Sequence, residues 1–240
     1  MGTDIHMACE VRRDGKWHLV TDKVFLNLWY DPNSTYTWCQ EQYTNIPYDG
    51  RNYSLFAILA NVRNGYGFAG CKTGDGFIPI SKPKGYPDDM CDELLSDIYM
   101  SDDSYDDLNR PYLSNEHSSS YLTLQELLNF DWTQTSRSCG WVSEETYKDY
   151  IMKGFQPDTW CGGVSGQNII HLTEFEMAAL IQGNYKRIEG KTYYTFCYFN
   201  PKTYAEFAGD FYENTIPVLK TLIPEGGTEE DVRIVFDFDS

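Results

Sequence analysis

The chain has 240 residues, 41% hydrophobic and 16% aromatic, enough to bury a substantial core and to form one domain spanning 1–240. Acids outnumber bases 36 to 19, a formal charge of −17, and a surface of that sign repels phosphate backbones and anionic lipids, which argues against direct nucleic-acid or membrane binding. Seven cysteines without a CxxC pair argue against a zinc knuckle or a disulfide framework and point to a reducing cytosol. The polar N-terminus reads as lacking a signal peptide, and no apolar run reaches membrane-spanning length.

Polar and apolar residues alternate from Gly2 to Val11, the period of a half-buried strand. Ile5, Met7, Cys9 and Val11 share one face, and Asp4, His6, Ala8 and Glu10 share the other. Asp14-Gly15 signals a hairpin, with Trp17 to Val20 as its returning strand. The aromatics between Leu28 and Asp49 (Trp29, Tyr30, Tyr36, Trp38, Tyr43 and Tyr48) read as packing residues of a satellite core rather than as a stacking surface. Asn52 caps a helix whose apolar residues Leu55, Phe56, Ile58, Leu59 and Val62 recur at helical spacing, and Gly65 ends it. Arg51 sits at the entry of that helix and Arg63 in its last turn, where a cation suits the dipole. In so acidic a chain, these two bases are expected to neutralise buried carboxylates or to hold an anionic ligand.

Gly65 to Gly70 matches GxGxxG, but it follows a helix and opens none, so it reads as a glycine loop. From Asp88 to Asp107 there are nine acids and no base. The first half reads as an amphipathic helix begun by Pro87-Asp88, and the second half as a solvated acidic loop. Ser118, Ser119 and Ser120 read as a loop before a helix that Thr123 and Glu126 open with a capping box and that runs through Phe130. A helix follows from Ser143 through Met152, then a glycine turn at Trp160–Gly166, and a second capped helix from Thr173 toward Gly183. Tyr193 to Phe199 alternates as a strand. Pro201 to Ile223 is largely helical with an interruption at Pro217, and Asp231 to Asp239 forms a last strand. The order of elements predicts an α+β fold: a mostly antiparallel sheet containing both terminal strands, with several helices packed on it.

Asp4 and His6 are about 7 Å apart along an extended strand, close enough to share a divalent metal or a ligand, whereas Glu10 lies about 13 Å from His6. His117, followed by Ser118, is expected to face His6 across a cleft. The candidate catalytic residues are therefore Asp4, His6 and His117, with Asp4 and His6 as metal ligands. Arg51, Arg63, Tyr53, Ser118 and Trp160 are candidate ligand-binding residues. An Asp-x-His strand also opens calcineurin-type phosphoesterases, but the later Gly-Asn-His-Asp/Glu of that family is missing here.

The opening Met-Gly-Thr-Asp-Ile-His, the run Arg51–Asn64, the segment His117–Leu127 and Trp160–Gly166 together resemble a family of uncharacterised proteins encoded by tailed bacteriophages. That resemblance assigns no catalytic role. It implies a virus-encoded accessory protein working in the host bacterial cytoplasm, with counter-defence as the natural context. The expected function is binding and sequestration of a nucleotide-derived host signal through stacking and arginine–phosphate pairing. The alternatives are a metal-dependent hydrolase of such a ligand and an acidic protein that blocks a basic host factor.

Overall fold

The computed structural model describes residues 2–99, 112–154, 157 and 159–239. The chain begins with strand β1 (Ile5–Arg13), β2 (Lys16–Leu19), β3 (Phe25–Leu26) and β4 (Tyr43–Thr44), followed by helices α1 (Tyr53–Ala60) and α2 (Asp92–Tyr99). Then come β5 (His117–Thr123), α3 (Leu124–Asn129), β6 (Thr135–Ser136), β7 (Cys139–Ser143), α4 (Glu144–Lys153), β8 (Ile169–Leu172) and α5 (Glu174–Ile181). The last elements are β9 (Thr192–Tyr198), β10 (Lys202–Thr203), α6 (Tyr204–Ala208), α7 (Ile216–Thr221) and β11 (Val232–Phe238).

The main sheet is antiparallel, in the order β2-β1-β11-β5, so the two ends of the chain lie side by side as the alternation predicts. A second sheet, β7-β9-β8, combines an antiparallel pair with a parallel one. The hairpin turns at Asp14 and Gly15, both at positive φ, the geometry that two-residue hairpin loops require.

Each face of the main sheet has its own cover. Ile5, Met7, Cys9, Val11, Ile234, Phe236 and Phe238 pack against α1, α3, α6 and α7. Helix α1 is buried continuously from Leu55 to Ala60, so it is a fully enclosed core helix. Ala8, Trp17 and Val235 on the other face meet Met90, Cys91, Leu94 and Leu113. That second face also encloses charge. Arg233 lies opposite Glu10 in the register and donates to its carboxylate at 2.7 Å, with both side chains almost fully buried. The same guanidinium bonds Asp89 at 2.6 Å and lies over the Trp17 ring, whose Nε1 also donates to Asp89. Asp237, fully buried, accepts from Tyr86, Ser114 and Asn115 and so ties both segments to β11.

Several boundaries differ from the sequence reading. Helix α1 ends at Asn61 in the left-handed conformation, so Arg63 lies beyond the helix rather than in its last turn. Ser118, Ser119 and Ser120 belong to β5 instead of a loop, because β11 supplies the ladder partners. Helix α2 begins at Asp92, after a turn over 87–90, and the acidic stretch beyond Tyr99 that was read as a loop lies outside the described residues. The break in the 201–223 helix is a π-helical segment, Phe211–Thr215, just before Pro217. Four of the six aromatics between Trp29 and Tyr48 (Trp29, Tyr30, Tyr36 and Tyr43) are exposed rather than buried in a satellite core. Asn27, which clasps the Trp38 and Glu41 carbonyls, holds this connection in place of packing.

Two predictions follow from these interactions. Arg233→Ala leaves Glu10 charged and buried without its partner, and is expected to cost about 3–5 kcal/mol in urea unfolding. The double substitution Glu10→Leu/Arg233→Met should cost clearly less; equal losses would show that the ion pair is not the cause. In the second case, bonds from the Thr173 and Thr203 caps hold the Glu176 and Glu206 carboxyls below their ordinary range, and Thr228 and then Arg12 do the same for Asp231. Depressed values contribute stability that is complete above the ordinary carboxylate pKa, about 4, and is lost as the pH falls toward the folded values. The denaturation midpoint should therefore fall below about pH 4, and Glu176→Gln/Glu206→Gln should flatten that decline.

Candidate functional site

Continuing the β1–β11 ladder by one step places Asp4 beside Asp239, just past the end of β11. Asp239 Oδ1 accepts the Asp4 amide at 2.8 Å, and the Asp239 amide donates to the Asp4 carbonyl at 3.2 Å. The other carboxylate oxygen, Oδ2, lies 3.2 Å from His6 Nε2. The Asp4 carboxylate receives Arg51 in a bidentate pair, Nε to Oδ1 at 2.6 Å and Nη2 to Oδ2 at 2.5 Å. This bond, and then the Asp4 charge, raise the Arg51 pKa.

Asp4, His6, Arg51 and Asp239 line a cleft of about 390 Å³ together with Ile5, Trp29 and Asp49. Trp29 is half exposed and supplies an aromatic wall. The cleft carries three carboxylates, Asp4, Asp49 and Asp239, against one arginine.

Around this cleft the other candidate residues fall into three groups. His117 does not face His6 across the opening. It lies on β5, on the far side of β11, where its Nε2 is 3.2 Å from the Asp239 carbonyl, its Nδ1 is 3.0 Å from Ser118 Oγ, and its ring stacks on Phe238. Ser118 sits at positive φ where β5 and β11 shift register, and its hydroxyl is directed to His117. Tyr53 and Arg63 meet behind Asp4: the Thr3 amide donates to Tyr53 Oη at 3.2 Å, Arg63 Nε donates to Thr3 Oγ1 at 2.6 Å, and the guanidinium lies over the Tyr53 ring. Trp160 belongs to the second sheet. It packs on Phe199 and over Gly140, where a Cβ would come within 2.4 Å of its ring, and it does not line the cleft.

The expected charge roles are therefore divided differently. Arg51 neutralises Asp4 at the surface, more than half exposed, and the base that neutralises a buried carboxylate is Arg233. Among the described residues no three His, Cys, Asp or Glu side chains converge to hold a metal ion, and the Asp4 oxygens are already occupied by Arg51, so Asp4 and His6 do not fit the divalent-metal role. Four of the cysteines are also unsuited to thiolate chemistry. Burial pushes Cys91 and Cys197 up to about 12 and raises Cys9 and Cys139, which keeps these sulfurs protonated.

Sequence reasoning missed Asp239, Asp49 and Trp29. For Asp239 the sequence held a partial signal: matching the apolar faces of the two terminal strands brings the two ends together, but only the observed register sets Ile5 against Phe238 and so Asp4 against Asp239. Trp29 and Asp49 come from connections whose course no periodicity encodes. Compared with known protein families, curated proteins and solved structures, the chain matches none.

His6 is mostly buried, but its partner Asp239 remains in contact with water. His6→Ala is therefore expected to cost only about 1 kcal/mol, because Asp239 can rehydrate. Arg51→Ala should cost no more than the roughly 0–1 kcal/mol of an exposed pair. A loss of more than twice these values in chemical denaturation would mean that the cleft is a structural network instead of a preorganised opening.

Proposed function

We propose that the chain is a phage-encoded accessory protein that binds and sequesters a small nucleotide-like host signal in the cytoplasm of the infected bacterium. The observation that carries the binding reading is the cleft at the end of the main sheet: an aromatic side chain, Trp29, lines the same opening as polar groups already fixed by one another. Its volume lies within the range of small-molecule sites, and its polar groups are oriented before any ligand arrives. A base stacked on Trp29 would present its N–H donors and sugar hydroxyls to Asp49 and Asp239. Phosphates would be directed away from these carboxylates, toward solvent.

Sequestration has more support than hydrolysis. The described residues offer no metal-ligand cluster, and the cysteines with shifted pKa values are all raised. The resemblance to phage proteins supplies the setting and the counter-defence role. The formal charge of −17 favours a second reading, an acidic protein that covers a basic surface on a host factor. Co-purification of such a factor that is lost at high salt would distinguish it.

The test is incubation with a panel of linear and cyclic nucleotide signals, removal of free ligand, denaturation and mass spectrometry of what is released. Release of the intact compound is expected, whereas a converted compound would establish turnover. Trp29→Ala should weaken retention roughly tenfold or more, the scale of a base–aromatic stack, and Trp160→Ala should leave it unchanged. If no nucleotide is retained, or if Trp29→Ala retains it as well as the original chain, the reading fails.

A further inference from the structure

Behind the cleft, on the other side of Thr3, a separate cup of about 30 Å³ is lined by Tyr53, Ser54, Arg63, Thr73, Arg137 and Ser138, with Gly65 and Gly74 in its wall. One water needs roughly 10–15 Å³ measured this way, so the cup has room for a group of a few atoms and not for a nucleoside.

Its charge sets it apart from the rest of the molecule. Arg12, Arg51, Arg137, Arg187 and Arg233 each pair with a carboxylate, and Arg13 is exposed at the hairpin. Arg63 is half-buried, and its bonds go to uncharged acceptors, Thr3 Oγ1 at 2.6 Å and the Gly67 carbonyl at 3.3 Å. In a chain of charge −17, that guanidinium has no carboxylate partner among the described residues. Arg137 faces the same cup. Its Nε donates to Asp75 at 2.8 Å, the one acid beside it, and its guanidinium lies over Tyr198, whose hydroxyl receives Lys72. Asp75 thus stands near both Arg137 and Lys72, while Arg63 lines the same cup as Arg137. Arg63 is also held at φ 50°, a conformation that costs a non-glycine residue energy. At Gly65, with φ 75°, any Cβ would press on the Gly74 carbonyl at 3.2 Å, so the wall of the cup requires glycine.

We propose that this cup is an oxyanion site in which Arg63 and Arg137 hold a single phosphate group, with the hydroxyls of Ser54, Thr73 and Ser138 as additional donors. Forked guanidinium donors match the oxygens of a phosphate, and the anion would supply the neutralising charge that Arg63 lacks. The phosphate is either free or the end of a phosphoester whose remainder projects out of the cup. The site stands apart from the cleft and does not depend on the nucleotide reading.

The test is calorimetric titration with inorganic phosphate and, separately, adenosine monophosphate, monitored in parallel by ³¹P NMR. Saturable binding of at least one is expected. Arg137→Gln, an exposed position whose loss spares the core, should weaken it at least tenfold. Arg63→Lys, which keeps the charge but not the fork, should also weaken it, whereas Arg187→Gln, an equal loss of charge elsewhere, should not. Tighter binding of inorganic phosphate identifies a free anion, and tighter binding of the monophosphate identifies a phosphoester. Absence of saturable binding by either, or binding unchanged in both Arg137→Gln and Arg63→Lys, overturns the site.

Discussion

Every residue of β11 is buried, so both faces of the main sheet have to be covered and both edges of this strand have to be paired. That constraint organises the molecule. Neighbours β1 and β5 satisfy its backbone on either side, the enclosed helix α1 and its companions cover one face, and the segment from Tyr86 to Leu95 covers the other. On the second face the cover is partly electrostatic. Burying Arg233 and Glu10 would be prohibitive for either alone, and each becomes tolerable because the other lies directly across the ladder, with Asp89 and the Cys91 amide taking the remaining valences.

The same pairing of the two ends of the chain creates the cleft. β1 and β11 run antiparallel, so the residues just before the first and just after the last emerge together, at one end of the sheet where the helices no longer cover it. Asp4, His6 and Asp239 therefore meet without any of them being near the others in sequence, apart from Asp4 and His6. Arg51, at the entry of α1, closes the group because α1 packs beneath this end of β1. Thr3 marks the division between two environments. On one side lie the carboxylate-rich cleft and Trp29, and on the other lie Tyr53, Arg63 and the basic cup. The two openings thus differ in electrostatic character, one lined by three carboxylates and one arginine and the other by two arginines and no carboxylate.

The two terminal strands, the β1–β2 hairpin, β9, the capped helices and the adjacency of the termini were legible in the sequence because each rests on a local rule. Period-two alternation fixes which residues of Ile5–Val11 and Val232–Phe238 face the helices, Asp14-Gly15 fixes the turn, and threonine with glutamate three residues later fixes the starts of α3 and α5. The pairing of Asp4 with His6 on one strand face was visible for the same reason.

Only tertiary structure decided what those residues touch. Alternation puts Glu10 and His6 on one face of the strand, but the neighbouring strand decides what each touches: Glu10 meets Arg233 directly opposite, and His6 meets Asp239, diagonal to its register partner Asp237. An arginine next to a core helix looks alike in sequence whether it binds a surface aspartate, as Arg51 does, or lies half-buried without a carboxylate partner among the described residues, as Arg63 does. Ser118–Ser120 read as a loop because short polar residues favour turns locally, and β11 overrode that preference with long-range hydrogen bonds. Local rules act through the chain's own backbone geometry, and this sequence states them plainly. Charge pairing and cleft formation act between segments 47 to 235 positions apart, and their outcome exists only once the sheet has set the register.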